Sequence, residues 1–237
     1  FPYTTLFRSQ FLVENPYWEG AKISLYSAGE ESIASMPNIK VGKFITQVIL
    51  QNIEVEDIDL SNATDLRSAW VQNNPALQKL DLSYSTIWGQ GDKETEGNGT
   101  YGSSLMVLGC PILKEIKLPE KNELKAYRID IECLDALETF DMSNVKMVAE
   151  LSIGDLNKDF NLVYPELTIF YSEDGYAGTY FACSENTFYR ESTQAFLKAN
   201  YTDIDPDDTV RRLGYTSSLS YDKNKGCRWR TLLNKQK

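Results

Sequence analysis

A chain of 237 residues, 42% hydrophobic and 24% charged, can bury a core of its own without leaning on disulfides or metal ions, and no apolar run is long enough to cross a bilayer. Acidic residues outnumber basic ones by 34 to 24, and the net charge of -10 repels phosphate backbones and anionic lipid, so nucleic acid is not an expected partner. Histidine is absent, which removes the commonest general base and zinc ligand, and Cys110, Cys133, Cys183 and Cys227 have no Cys-x-x-Cys spacing; the expectation is no enzyme, no cofactor and no metal.

Residues 1–9 read Phe-Pro-Tyr-Thr-Thr-Leu-Phe-Arg-Ser and resemble the in-frame translation of a common sequencing adapter, which implies an assembled environmental sequence. They are expected to lie outside the fold, as a fusion scar does, with a secretion signal or lipid anchor lost upstream of Gln10. Residues 10–44 carry aromatic and turn residues, Pro16, Tyr17, Trp18 and Gly20 among them, and are predicted to form an N-terminal cap.

From 45 to 172 one frame recurs. Val55-x-x-Ile58-x-Leu60 is its first copy, followed by Leu77-x-x-Leu80-x-Leu82, Leu113-x-x-Ile116-x-Leu118, Leu137-x-x-Phe140-x-Met142 and Leu167-x-x-Phe170. The starts step from 55 to 77 and from 113 to 137, a period of 22 to 24 residues that insertions lengthen elsewhere. A second set lies between: Ile45-x-x-Val48-x-Leu50, Leu66-x-x-Ala69-x-Val71, Leu105-x-Val107, Leu124-x-x-Tyr127-x-Ile129 and Val148-x-x-Leu151-x-Ile153. Apolar-x-apolar alternation is the pattern of a strand with one buried face, and stacked repeats supply what buries it. The spacing predicts a β-rich solenoid with two short parallel strands per 22 to 24-residue coil, capped at both ends.

These segments resemble leucine-rich-repeat proteins, above all the bacterial surface, internalin-like kind, in stretches such as Ile58-Asp-Leu-Ser-Asn62 and Leu80-Asp-Leu-Ser83. The resemblance implies a solenoid and a secreted or cell-surface setting. The asparagine expected after each strand is present only at Asn62, Asn73 or Asn74, and Asn144. Cys110 aligns with Asn74 and Cys133 follows 23 residues later, so the two are expected to stack as buried thiols.

Residues 84–104, five of them glycines, are predicted to form a protruding insertion. After the repeats, 173–237 is expected to be a C-terminal cap or a truncated further domain, with Ser184 capping a helix through Phe188, Ala195 and Ala199.

The residue between two buried apolar ones points outward. One outward row is Asp59, Asp81, Lys117 and Asp141, a solvated face; the other is Ile49, Trp70, Met106, Arg128 and Ser152. An outward tryptophan beside methionine and arginine has the composition of an interface, so Ile49, Trp70, Met106 and Arg128, with Trp88 of the insertion, are the expected partner-binding residues. The bland alternative is that the insertion or Trp88 covers Trp70. The run from Asp155 to Glu166 matches several liganding positions of a calcium loop, but Phe160 stands where that loop needs glycine, so no metal is assigned.

The expected function is a non-catalytic binding or adhesion module of a secreted or cell-surface bacterial protein, with a protein or glycan ligand. The alternatives are a parallel β-helix enzyme that degrades polysaccharide with carboxylates such as Asp59 and Asp81, and a structural spacer.

Overall fold

The computed structural model describes residues 11–13, 21–27, 33–90, 103–157, 159–168, 172–173, 176–177, 179–200 and 231–232. The stretch read as adapter lies outside them, as do the middle of the insertion and most of the chain after 200.

One eight-stranded sheet organises the molecule. Seven of its strands are parallel: β1 (Ala21–Tyr26), β2 (Ile45–Gln51), β3 (Ser68–Gln72), β4 (Ser104–Leu108), β5 (Leu124–Leu134), β6 (Val145–Leu156) and β7 (Tyr180–Cys183). They lie side by side in chain order. The antiparallel β8 (Thr231–Leu232) pairs with β7. Parallel neighbours need a crossover between them, usually helical. Here the crossovers carry turns and short strands, and the described helices, α1 (Glu185–Phe188) and α2 (Glu191–Asn200), come only after the last parallel strand.

The leucine-rich-repeat solenoid expected from the sequence is not what the structure shows. The fold is built on one large, mostly parallel sheet, with few helices among the described residues. Among the described residues the frames that start at Val55, Leu77, Leu113 and Leu137 form no continuous second ribbon: their strands are two or three residues long and pair only locally, Ile39–Val41 with Phe11–Val13 and with Ile58–Asp59, Lys79–Asp81 with Glu115–Lys117, and Thr139–Asp141 with Asn161–Val163. Strands of the large sheet, by contrast, run to 12 residues. The reason for the miss is physical. Alternation reports that one face of a strand is buried, and any sheet with a covered face satisfies it. The sheet also starts before the expected boundary at 45, since β1 falls within the stretch read as a cap.

The buried side chains form one core beneath the sheet. Val48 and Leu50 of β2, Ala69 and Val71 of β3, Leu105 and Val107 of β4, Ile129 and Ile131 of β5, and Leu151 and Ile153 of β6 all point into it. Leu60, Leu82, Leu118 and Met142, from the crossovers, close the same core from the other side. Trp88 lies in it as well, with none of its surface exposed, and its Nε1 donates to the Ser104 carbonyl at 3.4 Å.

Local turn chemistry is regular. After three of the short strands an aspartate side chain accepts the backbone N–H two residues on: Ser61 to Asp59 at 2.9 Å, Ser83 to Asp81 at 3.0 Å and Ser143 to Asp141 at 2.8 Å. These are the turns for which short acceptor side chains are favoured. Beyond β2, β3 and β4, and within the end of β5, the backbone turns through the left-handed region at Asn52, Asn73, Gly109 and Cys133. Asparagine and glycine tolerate that region and cysteine pays for its Cβ there. At Gly109 the tolerance is also spatial, since a Cβ would stand 2.7 Å from Asn73 Oδ1. The fully buried Asn74 then accepts from the backbone of Ala76 at 3.0 Å, Leu77 at 3.1 Å and Val55 at 3.4 Å.

The expected stack of Cys110 on Cys133 does not form. Gly109 donates its N–H to the carbonyl of Glu132, so the residue matching Gly109 is Cys133, and Cys110 falls one place later. Cys110 is a buried thiol, its pKa pushed up to about 12 by burial, whereas Cys133 is half-buried. Ser184 stands at the start of α1 as expected, with its hydroxyl 3.0 Å from Thr187 Oγ1, but the helix stops at Phe188 and α2 starts afresh at Glu191. Phe196 and Leu197 bury α2 against the core, and the Arg190 guanidinium at the break donates to the Phe160 carbonyl at 2.8 Å.

Candidate functional site

Every strand that puts Val, Leu or Ile into the core puts the intervening residues on the opposite face of the sheet. Register makes those residues rows. The middle row is Ser24, Ile49, Trp70, Met106, Asp130 and Ser152, crossing β1 to β6. A second row is Gln47, Ser68, Ser104, Arg128 and Glu150, and a third is Gln51, Gln72, Leu108 and Glu132.

Ile49, Trp70 and Met106 are therefore direct cross-strand neighbours, as read from the sequence, and all three are half-buried. Arg128 is not in their row. It pairs with Ser104, and Asp130 is the residue opposite Met106. The slip is two residues, which keeps Arg128 on the same face and moves it one row along. Trp88 is a core residue with no exposed surface, so it does not belong to a binding face and does not cover Trp70 from outside.

The slip hid the most unusual feature of the face. Asp130 and Glu132, two positions apart on β5, are 4% and 3% exposed. Arg128 Nη2 stands 2.7 Å from Asp130 Oδ2, and Nη1 reaches Glu150 Oε2 at 3.4 Å. Ser152 donates its hydroxyl to Glu132 Oε1 at 2.7 Å. Burial, and then the negative charge of Asp130, push the Glu132 carboxyl up to about 9, so at neutral pH it carries its proton. Among the described residues Trp70 Nε1 is a buried polar atom on this face without a partner, whereas Asp130 meets Arg128 and the Glu132 carboxyl. Such an atom is costly when left unmatched.

The residues expected to form a solvated face enter ion pairs at three of the four positions. Lys40 pairs with Asp59 at 3.4 Å, while Lys79 lies 3.1 Å from Asp81 and 3.3 Å from Glu115, which also meets Lys117 at 3.2 Å. These are exposed or half-exposed pairs, and each is worth little. Asp59 and Asp81 are each held in a turn by the backbone N–H two residues on. Of the calcium-like run, Asp155 lies within β6, Asn157 accepts from the Asp159 backbone at 3.1 Å, and Glu166 pairs with Lys146 at 3.1 Å. Among the described residues no group of three or more His, Cys, Asp or Glu is placed to hold a metal ion, and no helix is long and apolar enough to cross a membrane.

The period itself was a signal for Asp130. Leu105 to Ile129 is a step of 24 residues, the same as Leu113 to Leu137, which selects Ile129-x-Ile131 as the buried pair of β5. No family model, curated protein or solved structure matches the chain.

Proposed function

We propose that the chain is a non-catalytic binding module of a secreted or cell-surface protein, and that it engages a protein or glycan ligand through the outward face of its large sheet. One observation carries this reading: Ile49, Trp70 and Met106 stand in register on three adjacent strands, half-exposed, on a face whose flanking rows are mostly serine, glutamine and charged groups. An aromatic with apolar neighbours and a polar surround is the composition of a binding hot spot. The extracellular setting rests on the resemblance of the short segments to bacterial surface proteins.

The carboxyl pair gives an enzyme reading one point in its favour, because Glu132 keeps its proton at neutral pH. The two carboxyls, however, are hydrogen-bonded to each other. Glycoside cleavage needs roughly 5 Å or more between the carboxyls, with the sugar between them. The pair as it stands leaves no such room.

The test is affinity for immobilised extracellular glycans and proteins, compared between two variants. Trp70→Ala is expected to weaken binding at least about tenfold, the effect of losing a hot-spot aromatic, and Lys117→Ala on the opposite side to leave it unchanged. Equal affinities for the wild type and Trp70→Ala would contradict the assignment.

A further inference from the structure

The large sheet ends differently on its two sides. On one, the antiparallel β8 pairs with β7. On the other stands β1, which among the described residues pairs only with β2. Alternate residues of a strand aim their N–H and C=O to opposite sides, so parity tells which backbone groups of β1 are used. Ser27 donates its N–H to the Gln51 carbonyl. Ile23 and Leu25 share that parity and face β2, while Lys22, Ser24 and Tyr26 hold their N–H and C=O toward the open side. The side chains of these three are exposed, that of Tyr26 by 66%. The irregularity in the pairing of β1 falls between Ala21 and Lys22 and leaves the rest of the strand regular. An edge of this kind is a template for another strand.

We propose that β1 pairs antiparallel with β1 of a second copy of this chain, about a two-fold axis at Ser24, so that two sheets become one. The strand is complementary to itself in that register. Lys22 comes opposite Tyr26 of the second copy and Ser24 opposite Ser24. These are the residues whose backbone groups are open, and each such pair exchanges two hydrogen bonds. A slip of two residues either way leaves one pair fewer. Ile23 comes opposite Leu25, so the apolar file on the core side runs on across the axis, and Leu25, only partly buried at this edge, is covered. Charge permits the meeting. The chain has a net charge of -10, but β1 and β2 hold no carboxylate, and Lys22 is their one charged residue. Each Lys22 meets a tyrosine ring rather than the other lysine. Such a contact uses the same edge of both copies and stops at the dimer. It also sets the two middle rows end to end at the Ser24 pair, whatever ligand the outward face takes.

The experiment is sedimentation equilibrium of the full chain over about 5–500 µM. One strand pair is a small interface, so the expected result is a reversible equilibrium with a Kd on the order of 100 µM or tighter, read from an average mass rising toward twice that of the chain. Ser24→Pro removes the N–H at the axis, which β1 does not use against β2, and is expected to weaken association at least about tenfold. Tyr26→Lys sets lysine opposite lysine on both sides of the axis and is expected to weaken it about threefold or more. Tyr26→Glu sets carboxylate opposite lysine and is expected to tighten it by a similar factor. Tyr26 is exposed, so its two variants decide even should Ser24→Pro fail to fold. A chain that stays monomeric across the range overturns the proposal, and capture of an extended peptide by that monomer would give the edge to a different partner. Association that all three variants leave unchanged overturns it too, because the contact then lies elsewhere.

Discussion

Replacing Glu132 with glutamine is expected to flatten the dependence of stability on pH and to make the protein more stable at pH 8. In the folded state the carboxyl is pushed from its ordinary 4.5 to about 9, first by burial and then by Asp130. Between those values the unfolded chain has released the proton and the folded chain still holds it. The unfolded state therefore binds fewer protons, and unfolding free energy falls as pH rises, by up to about 1.4 kcal/mol per pH unit. The contribution is fully present below about pH 4.5 and is lost by about pH 9. Glutamine keeps an acceptor for the Ser152 hydroxyl and offers Asp130 a permanent N–H. Urea unfolding at pH 4.5 and pH 8 is the check. The variant should match the wild type at the lower pH and exceed it by roughly 4 kcal/mol at the higher. Parallel pH profiles for the two proteins would show that Glu132 is ionised in the folded state.

Trp88→Ala is expected to cost about 3–5 kcal/mol of stability, the loss of a large buried side chain with partial relaxation of its cavity. The ring is fully buried and its Nε1 is bonded to the Ser104 carbonyl. The turn beneath it is built around it: Ser85 Oγ accepts the Trp88 backbone N–H at 2.9 Å, and Lys121 donates to its carbonyl at 3.5 Å. Denaturant titration reads the effect directly. A change within about 0.5 kcal/mol, the usual range for surface positions, would return Trp88 to the surface role that its place in a glycine-rich insertion suggested.

What the sequence disclosed was local. Alternation identified which residues of each strand face the core, and Val48, Val71, Val107 and Ile153 are all buried as that pattern requires. It placed Ile49, Trp70 and Met106 in one row because their strands are short and admit a single frame. β5 is eleven residues long, and between the buried Ala126 and Ile129 its alternation breaks. Two frames fit such a strand locally, and the choice between them put Arg128 where Asp130 stands. The architecture was less legible. The short strands obey the same alternation as the long ones, yet they pair in separate groups, and continuity of a second ribbon is a property of distant pairing that no segment encodes alone. Trp88 was misplaced for a related reason: glycine and polar composition described the insertion as a whole, while Ser85, Trp88 and Gly89 near its start are buried.

The proposed ligand sits on the outward face of the sheet, at the middle row. Methionine-methyl NMR tests it most directly, since of the four methionines Met106 is in that row and Met142 is sealed in the core. Titration with whichever oligosaccharide or peptide binds the chain should move or broaden the Met106 methyl resonance and leave Met142 in place. A Met106 signal unchanged at saturation, with the binding heat still present, would put the ligand elsewhere on the molecule.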